Sequence, residues 1–223
     1  MNKKIVIIAP HADDETLGCG GTILKQIANG DKVYWILVTS GKDKVIFINA
    51  DIEHYNNNID KVALAYGFTR TIKLNLPVVR LDTIPEYTIY DRLADTLKDI
   101  EPEIVYIPYI NDVHADHQII SRVMISCTKN FRFPFIDKVY MYETASETDF
   151  TPAIQSLAFV PNRFVDITDY MDDKLEIMRI YSTELMPDPL PRSFHAIKGL
   201  AAVRGSRIGV KYAEAFVSLF EKA

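Results

Sequence analysis

Long apolar runs are missing from this chain of 223 residues. The first one, Ile5 to Ala9, ends at Pro10, far short of the about 20 residues needed to cross a bilayer. No charged start followed by a long apolar stretch marks a secretion leader. Cysteine is scarce as well. Cys19 and Cys127 are too few for a disulfide framework. Both fall in expected helices, where a free thiol behaves as a small buried hydrophobe. These absences make the cytoplasm the expected location. A basic excess is also lacking. Twenty-five Lys and Arg face 30 Asp and Glu, a net charge of −5. Such a chain has no field for nucleic acid or an anionic membrane surface, and a long polyanion is a poor substrate for it. The HExxH helix of zincins is absent. Gly18-Cys19-Gly20-Gly21 is neither GxGxxG nor a P-loop, because no Lys-Ser/Thr pair follows. Small residues there suit a helix that starts close to its strand. Repeats, low-complexity tracts and linkers are absent too.

What is present is a regular alternation. With 48% hydrophobic residues the chain can bury one substantial core, and residues 1–223 read as a single domain. Short apolar runs at 5–9, 33–38, 71–76 and 104–108 read as strands, with a weaker fifth at 138–142. Helical spacing appears at 21–29, 52–66, 90–100 and 117–128. Gly30 and Gly67 stand just past two of these helices, as C-terminal stops do. The alternation predicts an α/β fold: a Rossmann-like, mostly parallel sheet flanked by helices. Met186-Pro187-Asp188-Pro189-Leu190-Pro191 must be loop. The tail beyond it reads as helical, from 194 to 204 and again from 211 to 220. Phe131, Phe133 and Phe135 read as packing residues, and Arg80 as part of a solvated face.

Two strands are followed by unusual loops. After the first comes His11-Ala12-Asp13-Asp14-Glu15; after the fourth comes Asn111-Asp112-Val113-His114-Ala115-Asp116-His117. Three of the five histidines lie in these segments. In open α/β sheets ligands bind at the carboxyl ends of strands. Two imidazoles and a carboxylate make the donor set of a catalytic zinc site with one position open for water. Taken singly, each loop also reads as helix capping, since Asp is a common N-cap. Capping does not explain two such loops at equivalent places in one small domain.

His11-Ala12-Asp13-Asp14-Glu15 resembles the (A/P)HPDDE signature of the LmbE/PIG-L type deacetylases, and His114-Ala115-Asp116-His117 resembles their HxDH signature. The resemblance extends to Phe159–Ile167, to Leu200-Ala201-Ala202-Val203-Arg204-Gly205 and to Tyr212-Ala213-Glu214-Ala215-Phe216, so it covers nearly the whole chain in order. Ala12 replaces the family's Pro, which alters loop stiffness and removes no ligand. The Arg and Glu that the family often carries before the third strand have no counterpart in Glu53–Asp60.

The resemblance implies a zinc-dependent N-deacetylase acting on an N-acetylglucosamine-type sugar or conjugate. It implies His11, Asp14 and His117 as ligands of Zn²⁺, with Fe²⁺, Co²⁺ or Mn²⁺ as alternatives. Asp13, next to a ligand, is then the general base. His114, as imidazolium, faces the substrate carbonyl and donates to the oxyanion, with Asp116 holding it charged. Glu15 suits a helix N-terminus or a supporting hydrogen bond. Asn111 and Asp112 could bond sugar hydroxyls, or simply form a turn. Arg192 and His195 could close the pocket, and Tyr142 and Glu143 could form its wall. The family also hints at a homo-oligomer. Two rival readings stay open: a zinc amidase of a different conjugate, and a sugar-binding module without turnover. Asp13→Asn separates enzyme from module.

Overall fold

A computed structural model describes residues 2–40 and 52–222. The first strands are β1 (Lys4–Ala9), β2 (Lys32–Ser40), β3 (Arg70–Pro77), β4 (Ile104–Pro108) and β5 (Lys138–Tyr142). Two more follow, β6 (Arg163–Asp166) and β7 (Ala213–Glu221). They form one sheet in the order β3-β2-β1-β4-β5-β7-β6, parallel except for β7, which runs antiparallel to both neighbours.

The helices are α1 (Asp14–Ala28), α2 (Ile52–Tyr66), α3 (Glu86–Ile100), α4 (Ala115–Ser126), α5 (Met171–Ile180) and α6 (Phe194–Ser206). Side chains alternate across the sheet, as strand geometry requires. Ile5, Ile7, Trp35, Leu37 and Tyr106 pack on one face with residues of α1, α2, α5 and α6. Val6, Ile8, Ile36, Val38 and Val105 pack on the other with residues of α3 and α4. Both faces are covered, so the central strands are apolar throughout rather than alternating. No described helix is long and apolar enough to cross a membrane.

The five strands and five of the six helices expected from the pattern are present, with ends shifted by up to seven residues. Three differences matter. Residues 213–221 are a strand, not a helix. Their pairing with β5 and β6 outweighs the helical reading, and the buried run Ala213–Phe216 suits an interior strand. Second, β6 and α5 lie where no element was expected. Third, α1 starts at Asp14, seven residues before the expected Gly21, so its glycines lie inside it. Phe133 is core as expected, whereas Phe131 is exposed.

The fold places the two unusual loops together. From β1 the chain winds to β2 and β3 on one side and to β4 and β5 on the other. The carboxyl ends of β1 and β4 therefore face the crevice where strand order reverses, the usual ligand site of such sheets.

Candidate metal centre

The loop after β1 is pinned before it turns. The Pro10 carbonyl accepts hydrogen bonds from the Thr39 amide (3.0 Å) and hydroxyl (2.7 Å) at the end of β2. Asp14 then opens α1, and its Oδ2 accepts the His11 amide at 2.8 Å. The same oxygen lies 3.4 Å from His11 Nδ1 and 3.2 Å from His117 Nε2, which are themselves 3.4 Å apart. Three donor atoms thus form a nearly equilateral triangle. A tetrahedral zinc-type ion with bonds of about 2.0–2.1 Å keeps its donors roughly 3.3 Å apart. The donor set and its spacing fit such an ion.

Each imidazole is oriented from behind. His117 Nδ1 lies 2.9 Å from Asp112 Oδ2, and His11 Nε2 lies 3.0 Å from Asp116 Oδ2. One nitrogen of each ring is thereby committed to a carboxylate, which turns the other toward the shared point. Asp112 is fully buried and also accepts from the Thr148 hydroxyl at 2.6 Å. Asp116 further accepts the amides of Val79 (2.8 Å) and Leu81 (3.1 Å). Val79 is held at φ 57, a region a β-branched residue rarely visits.

His114 completes a wider cluster. One ring nitrogen from each of His11, His114 and His117 lies within 4.8 Å of the others, so these three histidines form a second possible donor set. The set containing Asp14 is tighter. His114 Nδ1 is also occupied, accepting the Asp116 amide at 3.1 Å. Its Nε2 is left as the polar atom for the cavity it lines.

The charges follow from these contacts. Burial works against a proton on His11, but Asp116 and Asp14 outweigh it and raise its pKa to about 9. His117 is likewise raised, by Asp14 and Asp112 against burial. Asp14 is held well below the usual carboxylate range, because the two imidazoles overcome burial. Asp13 goes the other way: burial, then the charges of Asp14 and Glu184, push it up, with Arg192 opposing. Burial and the two neighbouring imidazoles lower His114 to about 4.

Asp13 has φ 130 and ψ −28, left-handed territory for a residue with a side chain, at a cost of about 1–3 kcal/mol. Its Oδ2 lies 3.2 Å from Arg192 Nη1, which also meets Glu184 Oε2 at 3.1 Å. A cavity of about 260 Å³ opens over these groups. Tyr55, Val78, Val79, Ser146, Glu147 and Glu184 are among its other lining residues.

Several expectations need correction. Asp116 does not hold His114 with its carboxylate; it holds His11, because the side chain points back toward β1 and the Val79 turn. His114 is a neutral imidazole rather than an imidazolium. Asp112 and Asn111 do not reach the cavity. Asp112 is spent on His117, and Asn111 Nδ2 donates to the Tyr109 hydroxyl at 3.2 Å. His195, on the exposed side of α6, is also outside it. Tyr142 is buried under the site, donating to the Ile8 carbonyl at 2.9 Å. Glu143 lines a neighbouring groove instead. Arg192 does reach the cavity. Tyr55, Glu147 and Glu184 were not anticipated. Glu147 had a usable signal, since it lies on a loop leaving a strand at the carboxyl edge.

Residues 6–128 match the family described as PIG-L: GlcNAc-PI de-N-acetylase, more than half of the chain. The chain belongs to the PIG-L family. It is 23% identical to the diacetylchitobiose deacetylase of Thermococcus kodakarensis, over 95% of this chain and 81% of that one. Among solved structures, the conserved protein TT1542 from Thermus thermophilus superposes with a TM-score of 0.80 at 23% identity, over 99% and 96% of the two chains. The 4-carboxy-2-hydroxymuconate hydratase GalB from Pseudomonas putida superposes with a TM-score of 0.75 at 16% identity, over 99% and 98%. A hydratase on this fold shows that PIG-L architecture alone does not dictate the reaction; the site must.

Proposed function

We propose that this PIG-L protein is a metal-dependent hydrolase that removes the acetyl group from an N-acetylated amino sugar or sugar conjugate. The carrying observation is the triangle of His11, Asp14 and His117 at the floor of a cavity, with buried Asp13 beside it. The sugar assignment draws on the name of the Thermococcus relative and on the family description. Zn²⁺ suits the imidazole and carboxylate donors, with Fe²⁺, Co²⁺ or Mn²⁺ as alternatives. When bound, such an ion supplies Lewis acidity and brings the pKa of water to about 7.

The protein's own groups do the rest. Asp13 takes the proton of the attacking water; its raised affinity for protons suits that task. The neutral His114 donates from Nε2 to the oxygen that gains charge as the carbonyl becomes tetrahedral. Asp13 then passes its proton to the departing amine nitrogen, and the C–N bond breaks to give acetate and a free amine.

A panel of N-acetyl sugars, including diacetylchitobiose, tests this reading through released acetate. Turnover in the zinc-loaded protein, lost on chelation and restored by metal, is expected. Asp13→Asn should lower kcat by about 10²–10⁴-fold while metal content stays the same. Full turnover by the metal-stripped protein or by Asp13→Asn would refute the assignment. A sugar-binding module would hold the panel sugars and release no acetate.

A further inference from the structure

Glu15 is a carboxylate that the reaction above does not use, although it directly follows the base and the ligand Asp14. It is fully buried, with three donors from other residues around it. Oε1 accepts the Thr16 hydroxyl at 2.7 Å and the Tyr181 hydroxyl at 2.9 Å. Oε2 accepts the Asp13 amide at 3.2 Å. The Thr16 hydroxyl in turn accepts from Tyr66 at 2.9 Å. Two distant tyrosines, one ending α2 and one just beyond α5, therefore brace a single carboxylate.

That carboxylate meets the backbone at Asp13, whose φ of 130 is the largest among the described residues with positive φ. At φ 130 the Asp13 amide is turned away from the direction it takes in a strand or helix. Asp13 is itself buried, and a strained conformation persists only where its surroundings over-determine it. We propose that Glu15, braced by Tyr181 and Thr16, is a positioning residue that sets the backbone of Asp13 and so aims its carboxylate into the cavity. The inference rests on the reading of Asp13 as base. The ligand Asp14 has its own anchor, the His11 amide at 2.8 Å. Loosening the Glu15 brace therefore disturbs the base and leaves the metal donors in place.

Tyr181→Phe removes one hydroxyl and keeps the ring. In the metal-loaded full-length protein, with diacetylchitobiose as probe, kcat should fall about tenfold. KM and metal content should stay at their wild-type values, while the thermal midpoint falls by a few degrees with the protein still folded at assay temperature. Glu15→Gln keeps an acceptor for the Asp13 amide, and its NH₂ can donate to the two hydroxyls, so it should retain kcat within about threefold of wild type. A readout without substrate is the Asp13 amide itself, whose hydrogen-exchange protection should drop about tenfold in Tyr181→Phe. Unchanged protection or unchanged kcat in Tyr181→Phe overturns the proposal. So does a kcat loss matched by loss of metal. Asp13→Asn separates the two failures. If it abolishes turnover while Tyr181→Phe does not, only the brace is wrong; if it turns over normally, the base assignment is wrong.

Discussion

Asp116 shows how much one side chain's direction decides. It accepts from His11 and from two amides of the turn after β3, so it orients a proposed ligand. Asp116→Asn puts an NH₂ group where one of those three acceptor contacts now lies. Metal affinity should drop about 10–100-fold, and competition with a chromogenic chelator measures it. The residue types at the site were legible in the two motifs, and His11, Asp14 and His117 do converge. The partner of each imidazole was not. Asp112 and Asp116 stand five residues and one residue before His117, and nothing in that spacing says which one faces which ring. Glu184 and Tyr181 carried no signal, because the segments around α5 lack a pattern that singles them out.

At the scale of the element, α1 is the instructive case. Its small residues read as letting a helix begin close to its strand, and the glycines lie within the helix rather than ahead of it. The reason is closeness of approach rather than turning. A Cβ at Gly18 would stand 2.8 Å from Cγ of Tyr142 and 3.1 Å from the Glu143 carbonyl. The Tyr142 ring cannot yield, because its hydroxyl is tied to Ile8. Lys174 Nζ reaches the Leu17 carbonyl at 2.9 Å, and Glu214 accepts the amides of Gly21 (2.9 Å) and Thr22 (2.7 Å). A buried ion pair between Lys174 and Glu214, 2.7 Å long, thus docks against the middle of the helix. Gly18→Ala gains about 1 kcal/mol of helix propensity but overpacks the core, which typically costs about 1–3 kcal/mol. Net destabilisation is expected in urea unfolding, with loss of activity following loss of folded protein. Strand and helix periods were readable for most elements. β7 was not, because Ala213–Phe220 suits either period and only its pairing between β5 and β6 decides.

For the whole molecule, the clustered histidines couple stability to pH and, under the proposed function, are expected to couple it to metal. His11 in the metal-free protein has a pKa of about 9 against an ordinary 6.5. Its folded-state pKa is raised, so the stabilisation is fully present below pH 6.5 and is lost as pH rises through about 9. His11 alone should therefore cost the metal-free protein about 3 kcal/mol between those values, and His117, raised by Asp14 and Asp112, acts in the same direction. Urea unfolding in chelator across that window measures the loss. With saturating Zn²⁺ the slope should shrink, because the ion replaces the proton as the partner of Asp14. Metal uptake near neutral pH should also release protons, so apparent affinity should climb toward about pH 9. Calorimetry in buffers of different ionisation enthalpy counts them.

The first five strands with the helices between them, the covered sheet and the two loops rich in His and Asp were written in local pattern: apolar period, turn residues and motif spacing act over a few positions. Convergence was not local. Strand order brought the ends of β1 and β4 side by side, side-chain direction assigned Asp112 and Asp116 to their imidazoles, and burial kept His114 neutral. The contacts of His11 with Asp116 and His117 join residues about a hundred positions apart and exist only once the chain has closed on itself; Asp112 meets His117 across five residues, and only the folded loop turns it there.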